Sequence, residues 1–319
     1  MLFQTAGIEV APWIPPLVAF VISFFTSMGG VSGAFLLLPF QVSILGFTSP
    51  SVSATNQLFN IVAIPSGVYR YIKEGRMVWP LTWAVIIGTL PGVFIGAIVR
   101  VRYLPDPKNF KMFVGLVLLY IGGRMLKDLL QKKRSKGGHV SAEEQFQKRI
   151  QEYRKLHQTG NSSEQVELPH VIVKKFNFSR IVYEFYGQTF DISTLGIMSL
   201  CFIVGIIGGI YGIGGGSIVA PFFISFFCLP VYTIAGAALM GTFVTSVAGV
   251  IFYQLISPFY PNMTIAPDYM LGFLFGFGGF AGMYCGARFQ KFVPAKLIKW
   301  ILVGCILFPA IRYSWAFIR

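Results

Sequence analysis

The sequence predicts an all-α polytopic membrane protein. It is expected to hold two tandem repeats, inverted relative to each other, with broken or re-entrant glycine-rich helices and a small α+β cytoplasmic insert between them. Three observations carry this. The 319-residue chain is 55% hydrophobic and only 12% charged. It contains several apolar runs of membrane-crossing length. Its two ends match each other. Soluble domains are typically about 45–50% apolar and about 25% charged, so most of this chain suits lipid.

The formal net charge is +14. The basic residues sit in short loops and one central segment, which is how membrane topology signals look. No nucleic-acid partner is expected. The four cysteines, Cys201, Cys228, Cys285 and Cys305, lie inside apolar stretches without CxxC spacing. They read as small buried hydrophobes, not a disulfide framework. Residues 1–11 carry one acid and no Lys or Arg, which is not a cleavable signal pattern.

The apolar runs come in order. The first covers 13–28 and breaks at Gly29-Gly30-Val31-Ser32-Gly33. Runs at 34–47, 53–72, 78–100 and 110–127 follow. A polar stretch then leads to 192–208, a glycine break, 217–229, 232–256, 269–287 and 297–315. A crossing helix needs about 20 apolar residues. Runs 53–72, 78–100, 232–256 and 297–315 meet that length; 13–28, 34–47 and 217–229 are short. Short segments beside a glycine or proline break read as half-helices. Such backbone is tolerated at membrane depth where protein buries it or a polar cavity faces it. The expected organisation is repeat 1 at 1–127, an insert at 128–190 and repeat 2 at 191–319.

Shifting the first half by 182 places Gly33 on Gly215, Leu38-Pro39-Phe40 on Ala220-Pro221-Phe222 and Ser66-Gly67-Val68 on Ala248-Gly249-Val250. An insertion around 257–267 raises the offset to 190. Gly88, Gly92, Gly96 and Ala97 then fall on Gly278, Gly282, Gly286 and Ala287. Internal repeats are a mark of secondary transporters, whose sites lie at the repeat interface. The Lys- and Arg-rich insert is placed inside, with the loop holding Arg70, Lys73 and Arg76. In the second half the basic cluster Arg288, Lys291, Lys296 and Lys299 comes one connection later. That shift favours inverted repeats. Arg100, Arg102, Lys108 and Lys111 disagree, since they would face outside.

The insert shows helical spacing over 143–157 through Phe146, Ile150, Tyr153 and Leu156. Over 168–190 it turns to strand alternation through Val171, Val173, Phe176, Phe178, Ile181, Tyr183 and Phe185. An inside-facing charged connector explains it. Packing on the membrane, binding anionic lipid through lysines and a partner contact are the other readings.

The chemistry starts from what is missing. His139, His157 and His170 all lie in the insert. Outside it the acids lie near predicted helix ends, at Glu9, Glu74, Asp106, Asp191 and Asp268. Proton relays and cation sites in membranes normally use ionisable residues at depth, and metals need carboxylate, His or Cys sets. No metal, cofactor or enzyme activity is expected, because no nucleophile–base pair is at hand.

What is present is two glycine-rich links, Ser27 to Gly33 and Gly208 to Ser217. Each leads into an apolar helix with a proline six residues after the matched glycine. Glycine lets backbone N–H groups approach a ligand, and the helix that follows has free N–H groups and a positive dipole end. Together they suit an anion. The candidate substrate-binding residues are Gly30, Ser32, Gly33, Asn56, Gly212, Gly214, Gly215, Gly216, Ser217 and Thr242. Pro39 and Pro221 are expected to bend their helices. The Gly88/Gly92/Gly96 and Gly278/Gly282/Gly286 series read as close helix packing. Asn56 and Gln57 are costly in lipid without a partner, which leaves helix-to-helix hydrogen bonding as the competing reading. Arg is left out of the site, because a salt bridge would hold the cargo too tightly.

The stretch Gly209-Ile210-Tyr211-Gly212-Ile213-Gly214-Gly215-Gly216-Ser217-Ile218-Val219-Ala220-Pro221, with its partner copy at Gly29–Pro39, resembles the sulfite exporter TauE/SafE family of membrane permeases. The resemblance covers both membrane halves and leaves out the insert. The first copy departs from it, with Ser32 and Ala34 where the second has Gly214 and Gly216. The resemblance implies a multi-pass carrier of the inner membrane for sulfite, organosulfonates or thiosulfate, with net export. An inside-negative potential favours anion efflux by about 2.3 kcal/mol per charge per 100 mV. The expected partners are a small anionic substrate, the lipid bilayer and, as an open expectation, a second copy of the chain. Two other classes stay open: a membrane sensor or scaffold whose insert is the output, and a channel for a small neutral solute.

Overall fold

The computed structural model describes residues 1–130, 171–185 and 187–318. A short hairpin, β1 (Leu2–Phe3) and β2 (Ile8–Glu9), precedes α1 (Ile14–Met28), α2 (Ala34–Ser43), α3 (Ser51–Lys73), α4 (Trp79–Arg102) and α5 (Pro107–Leu130). Three strands follow, β3 (Ile172–Phe176), β4 (Arg180–Phe185) and β5 (Gln188–Ser193). The chain ends with α6 (Thr194–Tyr211), α7 (Val219–Phe226), α8 (Val231–Ile256), α9 (Tyr269–Gln290) and α10 (Ala295–Ile318). The expected helix at 143–157 lies outside the described residues.

Five helical stretches are long and apolar enough to cross a membrane: Trp79–Arg102, Pro107–Lys127, Thr194–Tyr211, Val231–Phe259 and Tyr269–Gln290. The runs expected at 53–72 and 297–315 are not among them. Helix α3 has the length, with 23 residues, but its N-terminal half reads Ser-Val-Ser-Ala-Thr-Asn-Gln. Those polar groups are buried in protein instead of facing hydrocarbon. The helix boundaries have local causes. Pro15 and Pro16 open α1, where a missing N–H costs nothing. Ser193 and Asp268 cap α6 and α9 by accepting from Gly196 N–H at 3.2 Å and Leu271 N–H at 3.0 Å. Gly212 closes α6 in the left-handed region at φ +78°.

The two glycine series are packing devices. A Cβ on Gly92 would lie 2.4 Å from the Phe202 carbonyl oxygen, and one on Gly96 2.3 Å from that of Ile206. On the other pair, a Cβ on Gly282 would lie 2.3 Å from the Phe20 oxygen and one on Gly286 2.3 Å from that of Phe24. Thus α4 lies backbone to backbone with α6, and α9 with α1. The first long helix of each half rests against the fourth helix of the other. Helices α3 and α8 cross at the centre, and α5 meets α10.

The contacts also fix directions. Ser51 N–H, at the start of α3, donates to Thr264 O beyond the end of α8, at 3.0 Å. Gly236, near the start of α8, faces Tyr71 near the end of α3. The two central helices therefore run antiparallel. Helix α6 starts beside the sheet, whereas α1 starts at the opposite end, with its Pro16 against Gly278.

The strands form one antiparallel sheet, β3-β4-β5, with Ile172 opposite Glu184 and Arg180 opposite Ser193. Ile181, Tyr183 and Phe185 alternate inward and are buried, as the sequence alternation predicts. The sheet is anchored to one end of the bundle. The Tyr183 hydroxyl lies 3.1 Å from the Thr233 hydroxyl, and Val171 N–H donates to Gly75 O at 3.4 Å. Burial pushes the Tyr183 phenol well above its usual range.

Candidate functional site

After α1, the N–H groups of Gly29 and Gly30 close on the carbonyls of Thr26 and Ser27 at 3.0 and 3.1 Å. Gly30 has φ +71°, and its missing Cβ would overlap Ala235 Cα at 2.5 Å. No larger residue fits there. The chain then passes through Ser32 and Gly33 into α2. After α6 the second link leads through its glycines into α7. Gly212 presses on Ser53, then Gly214, at φ +80°, lies beside Ser246 and Gly216 lies against Ala238 and Thr242.

The two links meet at one side chain, Asn60 of α3. Its Oδ1 accepts from the Ser32 hydroxyl in the first link. Its Nδ2 donates to Ile213 O in the second link at 2.9 Å and to the Ser246 hydroxyl at 3.0 Å. One turn away, Asn56 Nδ2 donates to Ala34 O at 3.0 Å and to Gly212 O at 3.3 Å, while its Oδ1 accepts from Gln41 at 3.2 Å. Ser217 donates to Ile213 O and lies 3.5 Å from the Thr242 hydroxyl, which donates to Ala238 O at 2.8 Å. Gly215 N–H donates to the Thr245 hydroxyl at 3.0 Å.

All ten expected site residues lie along α3, α8 and the two links, nine of them near the meeting of the links. Ser32, Gly33, Asn56, Gly212, Gly214, Gly215, Gly216, Ser217 and Thr242 are all buried. Gly30 stands apart at the far end of the first link, against Ala235. The amides of the two links divide into bonded and unbonded ones. Those of Gly30, Val31, Gly212, Ile213 and Gly215 are engaged by protein acceptors. Among the described residues, the amides of Ser32, Gly33, Gly214, Gly216 and Ser217 make no hydrogen bond. Pro39 stands inside α2, but Pro221 falls in the first turn of α7 and bends nothing.

Gln41 and Asn60 are the bridging residues the candidate set lacks. The signal for Asn60 is its spacing, since Asn56 and Asn60 stand four residues apart on one face of α3. Gln57 points elsewhere. Its buried carboxamide packs on Gly249, and neither of its ends has a hydrogen-bond partner.

Buried charge is the larger surprise. Arg76 and Arg100 are both buried, where the sequence pattern predicts loop or helix-end cations. Arg76 bonds Glu74 and Gln290 and lies 4.8 Å from the Tyr71 ring centre. Glu74 also pairs with Arg70 at 2.8 Å and Lys291 at 3.5 Å. Gln290 donates to Met28 O at 2.6 Å and Tyr71 to Ser27 O at 2.9 Å. This ion cluster therefore holds the end of α1, just before the first link.

Two apolar clefts flank the short helices. One is lined by Pro39, Phe40, Phe308, Pro309 and Tyr313, the other by Phe113, Tyr120, Ile207, Phe222 and Phe226. Their walls offer hydrocarbon and few donors. Among the described residues, no group of three or more His, Cys, Asp or Glu could hold a metal ion.

The family model described as sulfite exporter TauE/SafE matches residues 16–313. A probable membrane transporter protein, YdhB, of Bacillus subtilis (strain 168) is 29% identical over 115 residues. That match covers 36% of this chain and 44% of the relative, so it spans less than half of either protein. No solved structure matches.

Proposed function

The chain belongs to the sulfite exporter TauE/SafE family, and on that premise we propose that it is a secondary carrier exporting a small sulfur-containing oxyanion by alternating access. The observation that carries this reading is the meeting of the two links at Asn60. Five unbonded amides, Ser32, Gly33, Gly214, Gly216 and Ser217, lie in those links, while the carboxamides and hydroxyls beside them donate to protein acceptors. Oxyanions offer acceptors only, so a lining of donors selects them. Asn60 and Asn56 tie the link carbonyls back, which turns backbone acceptors away from the guest.

The reciprocal packing of α1 on α9 and α6 on α4, and the antiparallel run of α3 and α8, support two inverted repeats. Each would consist of a crossing helix, a glycine link and a short returning helix. In this reading the polar α3 and α8 stay central while one repeat rocks against the other. The sheet end, with its basic neighbours Arg70, Lys73 and Arg76, faces the cytoplasm of a cell whose inner membrane holds the chain. Sulfite, an organosulfonate and thiosulfate share the required chemistry.

Thermal unfolding of the purified protein tests the substrate class. Sulfite, thiosulfate or sulfoacetate is expected to raise the melting temperature in a saturable way, and acetate much less. Stabilisation by a divalent metal or a neutral solute alone contradicts the reading.

A further inference from the structure

We propose that Arg100, with the hydroxyls of Tyr253 and Ser53, is the charged anchor that captures the oxyanion at the end of the bundle opposite the sheet. The proposal rests on the anion-carrier reading above and revises its chemistry, because it supplies a fixed positive charge.

Arg100 stands in the last turn of α4 and is fully buried. Its Nη1 donates to Leu104 O, and its guanidinium carbon lies 3.8 Å from the Phe110 ring centre. Its Nε and Nη2 have no hydrogen-bond partner. Those two N–H groups form the parallel edge that grips a carboxylate, sulfonate or similar group with two bonds. Among the described residues no carboxylate pairs with Arg100. The Tyr253 side chain is buried in one cluster with Ala97 and Val101, on either side of Arg100 along α4, and with Ala54, the neighbour of Ser53. At strict hydrogen-bonding geometry neither the Tyr253 nor the Ser53 hydroxyl has a partner. Ser53 also touches the second link, since a Cβ on Gly212 would lie 2.2 Å from Ser53 Cβ.

The other end of the molecule shows what a neutralised version looks like. The offset of 182 places Tyr71 on Tyr253, and the offset of 190 places Arg100 on Gln290. At the Tyr71 end a buried arginine, Arg76, packs against the tyrosine and Gln290 and is neutralised by Glu74. At the Tyr253 end the arginine has replaced the glutamine and no acid accompanies it. Arginine does not give up its proton in proteins. The ring of Phe110 and the carbonyl end of α4 offset part of the burial cost. The remaining charge calls for an anion from outside, as ionisable residues inside membrane bundles generally do.

The test is thermal unfolding of the full-length protein titrated with thiosulfate in chloride-free buffer, comparing wild type, Arg100→Gln and Tyr253→Phe. Wild type is expected to show a saturable rise. Arg100→Gln should lose that rise while unfolding at or above the wild-type temperature without anion, since an unpaired charge is gone. Tyr253→Phe should weaken binding several-fold, and it decides the matter if Arg100→Gln does not fold. A rise in Arg100→Gln equal to wild type overturns the proposal, as does unchanged affinity in Tyr253→Phe. Equal stabilisation of wild type by chloride overturns it too, because the site then belongs to a resident halide. No rise in wild type with any oxyanion instead defeats the carrier reading itself.

Discussion

Asn60 donates to the carbonyl of Ile213 over 2.9 Å while accepting from Ser32, so one buried carboxamide ties the two glycine links together. Asn60→Leu leaves the Ile213 oxygen and the Ser32 and Ser246 hydroxyls without this partner. An unsatisfied buried group costs about 1–3 kcal/mol. The expected outcome is a melting temperature lower by several degrees together with loss of anion flux. Asn60→Asp keeps the size, removes the donor and adds a negative charge. It is expected to lose anion binding more completely than it loses stability, measured as the anion-dependent rise in melting temperature.

Glycine positions that look alike in sequence should respond oppositely. Gly212→Ala puts a Cβ 2.2 Å from Ser53 Cβ at a φ of +78°. It should abolish folded protein or lower its melting temperature sharply. Gly123, in α5, meets nothing within 4 Å. Gly123→Ala should be neutral or stabilising by up to about 1 kcal/mol. Comparing the two melting curves checks both.

The ion cluster at the end of α1 makes a prediction with a sign in pH. Glu74→Gln leaves Arg70, Arg76 and Lys291 without their carboxylate, and breaking a buried pair costs about 3–5 kcal/mol. Lys291 itself has its ammonium held below the usual 10.5, chiefly because burial disfavours the charge. A cation whose folded value is depressed destabilises the fold below that value. The cost is relieved as pH rises from there to 10.5. Urea unfolding of wild type minus Lys291→Met should therefore show a gap that narrows as the solution is made alkaline.

Inverted repeats predict opposite labelling. In a cysteine-free background, a single cysteine at Asn177, beside the sheet, and one at Asn262, beyond the end of α8, are both exposed positions. In oriented cells an impermeant maleimide should reach the residue-262 position at once and the residue-177 position only after the membrane is opened. Labelling of both from the same side contradicts the architecture.

The parts of this fold that glycine and proline dictate were legible in the sequence. The link at Gly208 to Ser217 and the packing of Gly92 and Gly282 follow from which residues permit close backbone approach. The burial of Arg100 was not legible. It stands two residues before Arg102, which is exposed, and what separates the two is the Phe110 ring packed on the Arg100 guanidinium. The burial of the polar start of α3 was not legible for a related reason, since hydropathy does not show that Asn56, Gln57 and Asn60 face protein. Of the site, the candidate residues were legible by type. Their joining through Asn60 depends on the antiparallel crossing of α3 and α8, which no local pattern encodes.

The most direct test is flux in proteoliposomes under an imposed potential. Wild-type protein loaded with thiosulfate is expected to release it faster when the inside is negative, with Asn60→Asp and Arg100→Gln near the protein-free rate. Release that ignores the potential, or that persists undiminished in both variants, would contradict an anion held where the two links converge.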